Sequence, residues 1–300
     1  MSPVPGTVAV TGATGFLGRY IVDALLVRGM KVVGVVRDPD RVAGLRDRIE
    51  LRKADLTVPS TLGPALVGAD ALVSNAALFS LGEGRWDLHQ RINLDGTRAL
   101  LLAAKDAGVR RVVHVSSVAV YKGMPREPAR EDYRQWTEAD KPRRTTAYAI
   151  SKALSEQLAW RVAKEHDLAL TTVRPSAIYG AFDPNFTRVL RRWLSMPIVP
   201  VPVLARWPFV YAGDVADAIT ECLLRDVSVG HAYNTAGDAC SPWDVANAFR
   251  DAGGVGFRLR IPVPLPVARR FDNGAARLDL GFDNRPLVDG FRDAFVRERR

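Results

Sequence analysis

A glycine-rich segment near the N-terminus constrains the fold of this 300-residue chain more than any other feature. It runs from Thr11 to Gly18, reads TGATGFLG, follows the apolar run TVAV and opens a stretch with helical spacing of apolar residues. Gly12 permits a tight turn, Gly15 lets backbone approach phosphates, and Gly18 lets the helix pack close to the sheet. The start of a helix also offers N–H groups and partial positive charge to an anion. The segment therefore predicts a dinucleotide-phosphate site between a strand and a helix.

Strand-like and helix-like segments alternate over the first 175 residues. Near-continuous valine in KVVGVVR is typical of a parallel strand covered on both faces. The βαβαβ order predicts an α/β fold with a Rossmann-type doubly wound parallel sheet. The predicted strands are 7–12, 31–37, 49–56, 70–77, 111–117 and 168–175, and the predicted helices are 16–29, 93–108 and 147–167.

The pattern changes after Pro175. Residues 183–208 are rich in Pro, Arg and Trp and show no strong periodicity. Residues 209–224 predict a strand end and a helix, 231–237 a short strand, and 241–254 a helix with Ser241 as N-cap. We expect a dinucleotide-binding domain at 1–175, to which 209–235 return, and a smaller C-terminal substrate-binding lobe formed by 176–208 and 236–300.

Composition and charge exclude several classes of protein. The net charge is +9, but arginines are spread along the chain rather than forming a basic arm with interleaved aromatics, so we expect no nucleic-acid partner. Two cysteines cannot form a disulfide scaffold, and the four scattered histidines show no metal-ligand spacing, so we expect no metal. Because we find no targeting segment and no membrane span, we expect a cytoplasmic protein.

Residues 148–152 read YAISK and place a tyrosine and a lysine four positions apart. On a helix, Tyr148 and Lys152 share a face, and a neighbouring ammonium favours the phenolate and lowers its pKa. Ser116 and Ser117 lie at the predicted carboxyl end of the fifth strand, where open α/β sheets place their ligands. Tyr148, Lys152 and a serine of this pair are the candidates for acid–base chemistry on a bound substrate.

These motifs together resemble the extended, epimerase/dehydratase-like branch of the short-chain dehydrogenase/reductase superfamily. The resemblance includes the TGxxGxxG spacing, SSVAVY at 116–121, YxxxK, RPSAIYG at 174–180 and FVYAGDVADAI at 209–219. It departs from the family where Lys122 separates Tyr121 from Gly123. The resemblance implies a hydride transfer in which Tyr148 exchanges the proton, and a catalytic set of Ser117, Tyr148, Lys152 and Asn93.

The same resemblance implies which residues contact the cofactor. The glycine-rich loop, the ends of the third and fourth strands, the YxxxK pair and the segment after the sixth strand all contribute. The implied residues are Gly12, Thr14, Gly15, Phe16, Leu17, Gly18, Asp55, Leu56, Asn75, Ala76, Ala77, Tyr148, Lys152, Pro175 and Ile178.

The end of the second predicted strand bears on the choice of cofactor. Arg37 stands where an NAD-preferring site usually carries an acid, and a guanidinium suits a 2′-phosphate. This favours NADP(H) over NAD(H), and VRDP resembles carbonyl reductases of the dihydroflavonol-reductase type. The alternative is that Asp38 contacts the ribose and Arg37 is merely exposed.

Three functions fit this sequence. The short connection from Tyr179 to Phe209 and the presence of Arg37 favour an NADP(H)-dependent reductase of a ketone or aldehyde on a small or hydrophobic metabolite. The alternatives are a nucleotide-sugar epimerase or dehydratase that retains its dinucleotide, and a non-catalytic dinucleotide sensor. The resemblance also implies a homodimer formed through helices near 94–107 and 147–165.

Overall fold

A computed structural model describes most of the chain, and the following account concerns residues 5–41, 44–79, 85–123, 127–194, 196, 198–202, 204–254, 259–263 and 268–299. The outer limits of the expected domains, residues 1 and 300, lie outside these ranges. The strands are β1 (Thr7–Thr11), β2 (Lys31–Val36), β3 (Glu50–Lys53), β4 (Ala71–Ser74), β5 (Arg111–Val115), β6 (Ala169–Pro175), β7 (Ala177–Tyr179), β8 (Ile198–Pro202), β9 (Trp207–Tyr211), β10 (Ala232–Thr235), β11 (Ala239–Cys240) and β12 (Leu259–Val263).

Helices connect and cover these strands. They are α1 (Phe16–Val27), α2 (Leu62–Leu66), α3 (Trp86–His89), α4 (Gly96–Asp106), α5 (Ala147–His166), α6 (Phe186–Leu194), α7 (Ala212–Leu224), α8 (Pro242–Asp251), α9 (Gly274–Leu280) and α10 (Leu287–Arg299). A π-helical segment, Gln90–Asp95, joins α3 to α4. None of the helices in the described ranges combines the length and apolar character needed to cross a bilayer.

The main sheet has seven strands in the order β3-β2-β1-β4-β5-β6-β10, and all neighbours are parallel. Chain order reverses between β1 and β4, so the connections leave on opposite sides there and open a crevice at the carboxyl ends of the strands. This arrangement confirms the predicted Rossmann-type doubly wound sheet.

Alternation along β1 explains why the sheet is covered on both faces. Val8 and Val10 point into one apolar core with α1 and α7, while Ala9 points into the other with α2, α4 and α5. All three side chains are fully buried. A strand with two buried faces has no polar side to show in its sequence, which is why β1 and β2 are nearly continuous in apolar residues.

Two smaller sheets lie beyond the main one. β7 pairs with β9 and β9 with β11, while β8 pairs with β12. α6 and β8 form within residues 183–208, where no strong periodicity was expected. For α6 this expectation is wrong, since Phe186, Leu190 and Trp193 recur at helical spacing and pack on the core. β8 is set instead by its pairing with the distant β12. The predicted N-cap at Ser241 is confirmed: its hydroxyl accepts a 3.1 Å hydrogen bond from the Asp244 backbone N–H.

Candidate active site

The glycine-rich loop forms the tight turn that its sequence predicts. Gly12 has φ +67°, a backbone conformation that favours glycine, and Gly15 precedes α1 as its N-cap. A Cβ atom on Gly18 would lie 2.0 Å from the Gly12 carbonyl oxygen, so the helix can approach the loop only with glycine there. No acidic side chain stands in the first turn of α1, and the positive end of the helix is suited to a phosphate.

Thr11 ties the loop to the neighbouring strand end. Its Oγ1 accepts hydrogen bonds from the backbone N–H groups of Asn75 (3.0 Å) and Ala76 (3.1 Å). In return, Asn75 Nδ2 donates to the Thr11 carbonyl oxygen at 3.3 Å. These bonds join β1 and β4 at the point where chain order reverses, and they hold Gly12 against Ala76 at the floor of the crevice.

The remaining loop residues differ in their exposure. Leu17 is buried in the core, whereas Thr14 and Phe16 are partly exposed at the loop surface. The Thr14 carbonyl oxygen accepts a 3.3 Å hydrogen bond from Arg19 Nε, and Phe16 packs edge-on to Tyr20. Thr14, Phe16 and the glycines thus offer backbone to a ligand, while Leu17 anchors the helix beneath them.

Arg37 and Asp55 follow the ends of two adjacent strands, β2 and β3. Hydrogen bonding from the Thr57 backbone N–H lowers the pKa of the Asp55 carboxyl, and the charge of Arg37 adds to this effect. The Thr57 N–H and Oγ1 both lie 2.8 Å from Asp55 Oδ1. Arg37 is exposed, and the next residue, Asp38, accepts a 3.1 Å hydrogen bond from the Asp40 N–H. The adenosine end of a dinucleotide would meet these groups.

Leu56 and Ala77 occupy the two sides of the crevice, and Pro175 and Ile178 its far end. Leu56 packs against α4, where a Cβ on Gly96 would lie 2.9 Å from the Leu56 Cβ. Ala77 is exposed beyond β4. Pro175 is buried at the end of β6, and Ile178 is half-buried in β7. Leu56 and Ala77 therefore follow the carboxyl ends of β3 and β4, Pro175 is the last residue of β6, and Ile178 lies three residues later, all at the edge where such sheets bind ligands.

The Asn93 side chain contacts backbone and a serine. It lies in the π-helical segment and is 1% exposed. Its Oδ1 accepts a 2.7 Å hydrogen bond from the Leu78 N–H, and its Nδ2 donates to the Leu78 carbonyl (3.1 Å) and to Ser151 Oγ (3.0 Å). Asn93 therefore holds the chain beyond β4 against α5, next to Lys152.

Ser117 and Tyr148 meet at the mouth of the crevice. Ser117 follows β5, its Oγ accepts a 3.1 Å hydrogen bond from the Ala119 N–H, and its hydroxyl lies beside the Tyr148 phenol. The expected lowering of the Tyr148 pKa by Lys152 is not found. Burial raises this pKa to about 12, the neighbouring Ser117 hydroxyl opposes that rise, and the ammonium of Lys152 is bonded to the Val115 carbonyl instead. Before a dinucleotide binds, Tyr148 is thus a protonated phenol and can donate its proton.

Lys152 is buried one helical turn from Tyr148, with 3% of its surface exposed. Its Nζ donates a 2.7 Å hydrogen bond to the Val115 carbonyl oxygen at the end of β5. Burial lowers the pKa of Lys152 to about 8, while the negative charge of Glu156 acts in the opposite direction. The structure therefore brings Ser117, Tyr148 and Lys152 together, with Asn93 behind them.

Two side chains at this site were not singled out from the sequence. Phe79 packs edge-on to the Tyr148 ring, with 4.9 Å between ring centroids, and is 43% exposed. No pattern marks it, because it follows the end of β4 in irregular chain. Glu156 could have been found from the sequence, since it lies four residues after Lys152, as Lys152 lies four after Tyr148, and so shares their face of a largely buried helix.

Comparison with known proteins agrees with this geometry. Residues 8–236 match the model of the NAD dependent epimerase/dehydratase family. Cinnamoyl-CoA reductase 1 of Arabidopsis thaliana is 35% identical over 60% of this chain and 54% of that protein. Dihydroflavonol 4-reductase of Zea mays is 33% identical over 59% of this chain and 54% of that protein. The chain thus spans about half the length of these relatives. Sterol demethylase protein B of Methylococcus capsulatus is 34% identical over 88% of this chain and 83% of that protein.

Solved structures match nearly the whole chain. UDP-glucose-4-epimerase from Stenotrophomonas maltophila, with bound NAD and formylated UDP-arabinopyranose, is 25% identical with a TM-score of 0.83 and 98% of both chains covered. The crystal structure of gox2253 is 27% identical with a TM-score of 0.79 and the same coverage.

Proposed function

Since the chain belongs to the NAD dependent epimerase/dehydratase family and is an NAD(P)-dependent enzyme of the extended short-chain type, we propose that it reduces a ketone or aldehyde on a hydrophobic metabolite with NADP(H). One observation carries this proposal: the neighbouring hydroxyls of Ser117 and Tyr148 lie at the mouth of the crevice, with the ammonium of Lys152 buried one turn behind. In such a site Tyr148 is the proton donor, Ser117 helps to bind the substrate carbonyl, and Lys152 is a fixed cation.

Ser117, Tyr148 and Lys152 each have a separate role in such a reduction. The substrate carbonyl oxygen accepts hydrogen bonds from Ser117 Oγ and the Tyr148 hydroxyl, and these bonds polarise the carbonyl. The bound dinucleotide supplies a hydride to the carbonyl carbon. Tyr148 gives its proton to the oxygen, so one C–H and one O–H bond form and the product is an alcohol. The ammonium of Lys152, one helical turn away, and the positive charge of the oxidised nicotinamide would both favour the phenolate that remains and would bring the pKa of Tyr148 down from about 12.

A hydrophobic substrate is supported by Phe79 and by the names of the relatives. Phe79 presents a half-exposed ring beside Tyr148 and offers an apolar wall to a group attached to the carbonyl. The relatives are named for cinnamoyl-CoA, dihydroflavonols and sterols, which are all ring-bearing compounds. We assign the substrate to the lobe formed by residues 176–208 and 236–300, next to a dinucleotide domain of 1–175 and 209–235. β10, which pairs with β6, supports this division.

The preference for NADP(H) rests on Arg37. Its exposed side chain follows β2, and its charge lowers the pKa of Asp55, beyond the end of the adjacent strand β3, where we place the adenosine ribose. Asp38 is the competing residue, because a carboxylate would bind the ribose hydroxyls of NAD(H) and repel a 2′-phosphate. Asp38 already accepts a hydrogen bond from the Asp40 N–H, which leaves Arg37 as the better candidate.

A titration with both dinucleotides tests the proposal. Quenching of tryptophan fluorescence by NADPH and by NADH is measured on the wild type and on Arg37→Ala, followed by reduction assays with aromatic and alicyclic ketones and aldehydes. We expect NADPH to bind at least tenfold more tightly than NADH, and the variant to lose most of that ratio. Tighter binding of NADH, or an unchanged ratio in the variant, would remove the assignment of NADP(H).

A nucleotide-sugar epimerase or dehydratase is the second candidate. Its support is the match, at a TM-score of 0.83, to an epimerase structure that holds NAD and a UDP-sugar. Such an enzyme retains its dinucleotide through the cycle. Dinucleotide that co-purifies at full occupancy, together with conversion of UDP-sugars, would favour this candidate over the reductase. A non-catalytic dinucleotide sensor is the least supported function, because the chain keeps both Tyr148 and Lys152.

We also propose a homodimer formed through α4 and α5. Leu102 on α4, and Leu158 and Trp160 on α5, are only partly buried although they pack on the core, so the two helices keep apolar surface for a second copy. Light scattering should give twice the monomer mass, and a monomer at all concentrations would contradict this.

The two cysteines are free thiols, which suits the cytoplasm that we propose as the location.

A further inference from the structure

A buried carboxylate lies one helical turn beyond Lys152. Glu156 is 1% exposed and accepts three hydrogen bonds from Arg174, two from Nε (3.0 and 3.1 Å) and one from Nη2 (2.5 Å). It also accepts a 2.5 Å hydrogen bond from the hydroxyl of Ser116, the residue before Ser117. Glu156 therefore joins α5 to the ends of both β5 and β6, immediately behind the catalytic residues.

Arg174 extends this connection to the other side of the sheet end. Its Nη1 donates to the Tyr121 hydroxyl and to the Glu131 carbonyl oxygen, both at 2.8 Å. The Tyr121 hydroxyl donates in turn to Asn234 Oδ1 at 2.6 Å, at the edge strand β10. The guanidinium is almost completely buried, so it is held by fixed partners rather than by water.

We propose that Glu156 is a positioning residue for the reaction: it locks α5 against the ends of β5 and β6 and supplies the negative charge that balances the buried ammonium of Lys152, while Arg174 limits how much of that charge Lys152 experiences. The proposal rests on the function proposed for Lys152. It differs from a purely structural ion pair because it assigns opposite effects on Lys152 to the two partners.

The charges around Lys152 support this arrangement. Tyr148 on α5 is a neutral phenol until it reacts, and His114 on β5 is fully enclosed, with its Nδ1 3.2 Å from Ser74 Oγ. Burial, with the charge of Lys152, holds the pKa of His114 well below its usual value, so this ring is neutral. Burial also lowers the pKa of Lys152 to about 8, and the charge of Glu156 opposes it. Glu156 thus supplies the anion of this set, and Arg174 is the opposing cation.

Direct titration of Lys152 tests the proposal without any substrate. The 300-residue chain, free of dinucleotide, is labelled with ¹³C at the lysine ε-carbons, and the Lys152 resonance is identified by its loss in Lys152→Met. Its titration midpoint is then measured in the wild type, Glu156→Gln and Arg174→Gln. We expect the midpoint to fall by about one pH unit in Glu156→Gln and to rise by about one unit in Arg174→Gln, as for unit charges close by in a partly screened interior.

Tyr121→Phe is the matched control. It removes an acceptor from Arg174 but changes no charge, so the Lys152 midpoint should stay within about 0.3 units of the wild type. Shifts in the same direction in both charge variants, or no shift in either, would overturn the proposal. If Glu156→Gln does not fold, an upward shift in Arg174→Gln supports the proposal and a downward or absent shift overturns it. If neither folds, the pair is a requirement of folding, and the proposal is also overturned.

A second readout separates this proposal from the proposed function. If carbonyl reduction is found, the basic limb of the kcat/KM pH profile should move in the same direction as the Lys152 midpoint in each variant. If no reduction is found, the proposed function fails, but the NMR titration still decides the role of Glu156.

Discussion

Lys152 Nζ donates a 2.7 Å hydrogen bond to the carbonyl oxygen of Val115, the last residue of β5. That carbonyl lies two residues before Ser117, so one hydrogen bond fixes the lysine of the YxxxK motif relative to the strand that carries the serine. Tyr148, on the same helix face, is placed by the same contact. The geometry of the candidate site is thus built on a helix and a sheet, which hold side chains more firmly than loops do.

Tyr148→Phe should abolish proton donation and leave the site otherwise intact. The phenyl ring keeps its packing against Phe79, while the hydroxyl that meets Ser117 is lost. We expect kcat for carbonyl reduction to fall by about 10²–10⁴-fold, with dinucleotide affinity within about threefold of the wild type. Steady-state kinetics and fluorescence titration measure the two effects. A variant that keeps more than a tenth of the wild-type kcat would show that another group donates the proton.

Gly18→Ala should damage the phosphate loop, since the added Cβ would lie 2.0 Å from the Gly12 carbonyl oxygen. We expect dinucleotide affinity to fall by about 10²-fold or more, because the loop must move away from the helix N-terminus. Gly63→Ala is the control: nothing lies within 4 Å of its Cβ, and this position is in α2. It should bind the dinucleotide normally, but we expect no gain in unfolding free energy, because Gly63 precedes Pro64 and a Cβ before proline disfavours the helical backbone. Equal affinities in the two variants would contradict this account of the loop.

Thr11→Val should loosen the crevice between β1 and β4. The change keeps the shape of the side chain but leaves the Ala76 N–H without its acceptor, while the Asn75 N–H keeps a 3.1 Å hydrogen bond to the Val73 carbonyl oxygen. We expect a loss of about 1–3 kcal/mol in unfolding free energy, measured by urea denaturation, and weaker dinucleotide binding. Undiminished stability and affinity would show that the Ala76 N–H finds another partner.

Lys152→Met should stabilise the protein while inactivating it. The folded-state pKa of Lys152, about 8, lies below its ordinary value of 10.5, so folding disfavours the ammonium. The cost to wild-type stability is complete below pH 8, shrinks as pH rises from 8, and vanishes near pH 10.5. We therefore expect the variant to gain on the order of 2 kcal/mol at pH 7 and much less at pH 10. Urea denaturation at both pH values measures this, and a gain that grows with pH would refute the reasoning.

Much of the dinucleotide site could be predicted from sequence because its determinants are local. The loop from Gly12 to Gly18 needs only glycines at a spacing that a strand–turn–helix unit can use, and such a unit is contiguous in the chain. The pairing of Tyr148 with Lys152 follows from helical periodicity alone. The βαβ alternation likewise limited the fold to a doubly wound sheet, because parallel strands need crossover connections.

The tertiary structure decided which distant residues meet. Thr11 binds the backbone of Asn75, Ser117 meets Tyr148, and Glu156 pairs with Arg174, and in each case the partners come from different strands or helices. Local sequence pattern does not encode these contacts, since they depend on the order of strands in the sheet and on the depth of each side chain below the surface. The sequence by itself determined which chemical groups this protein carries and on which elements. Only folding decided their neighbours, and therefore their burial and their charge.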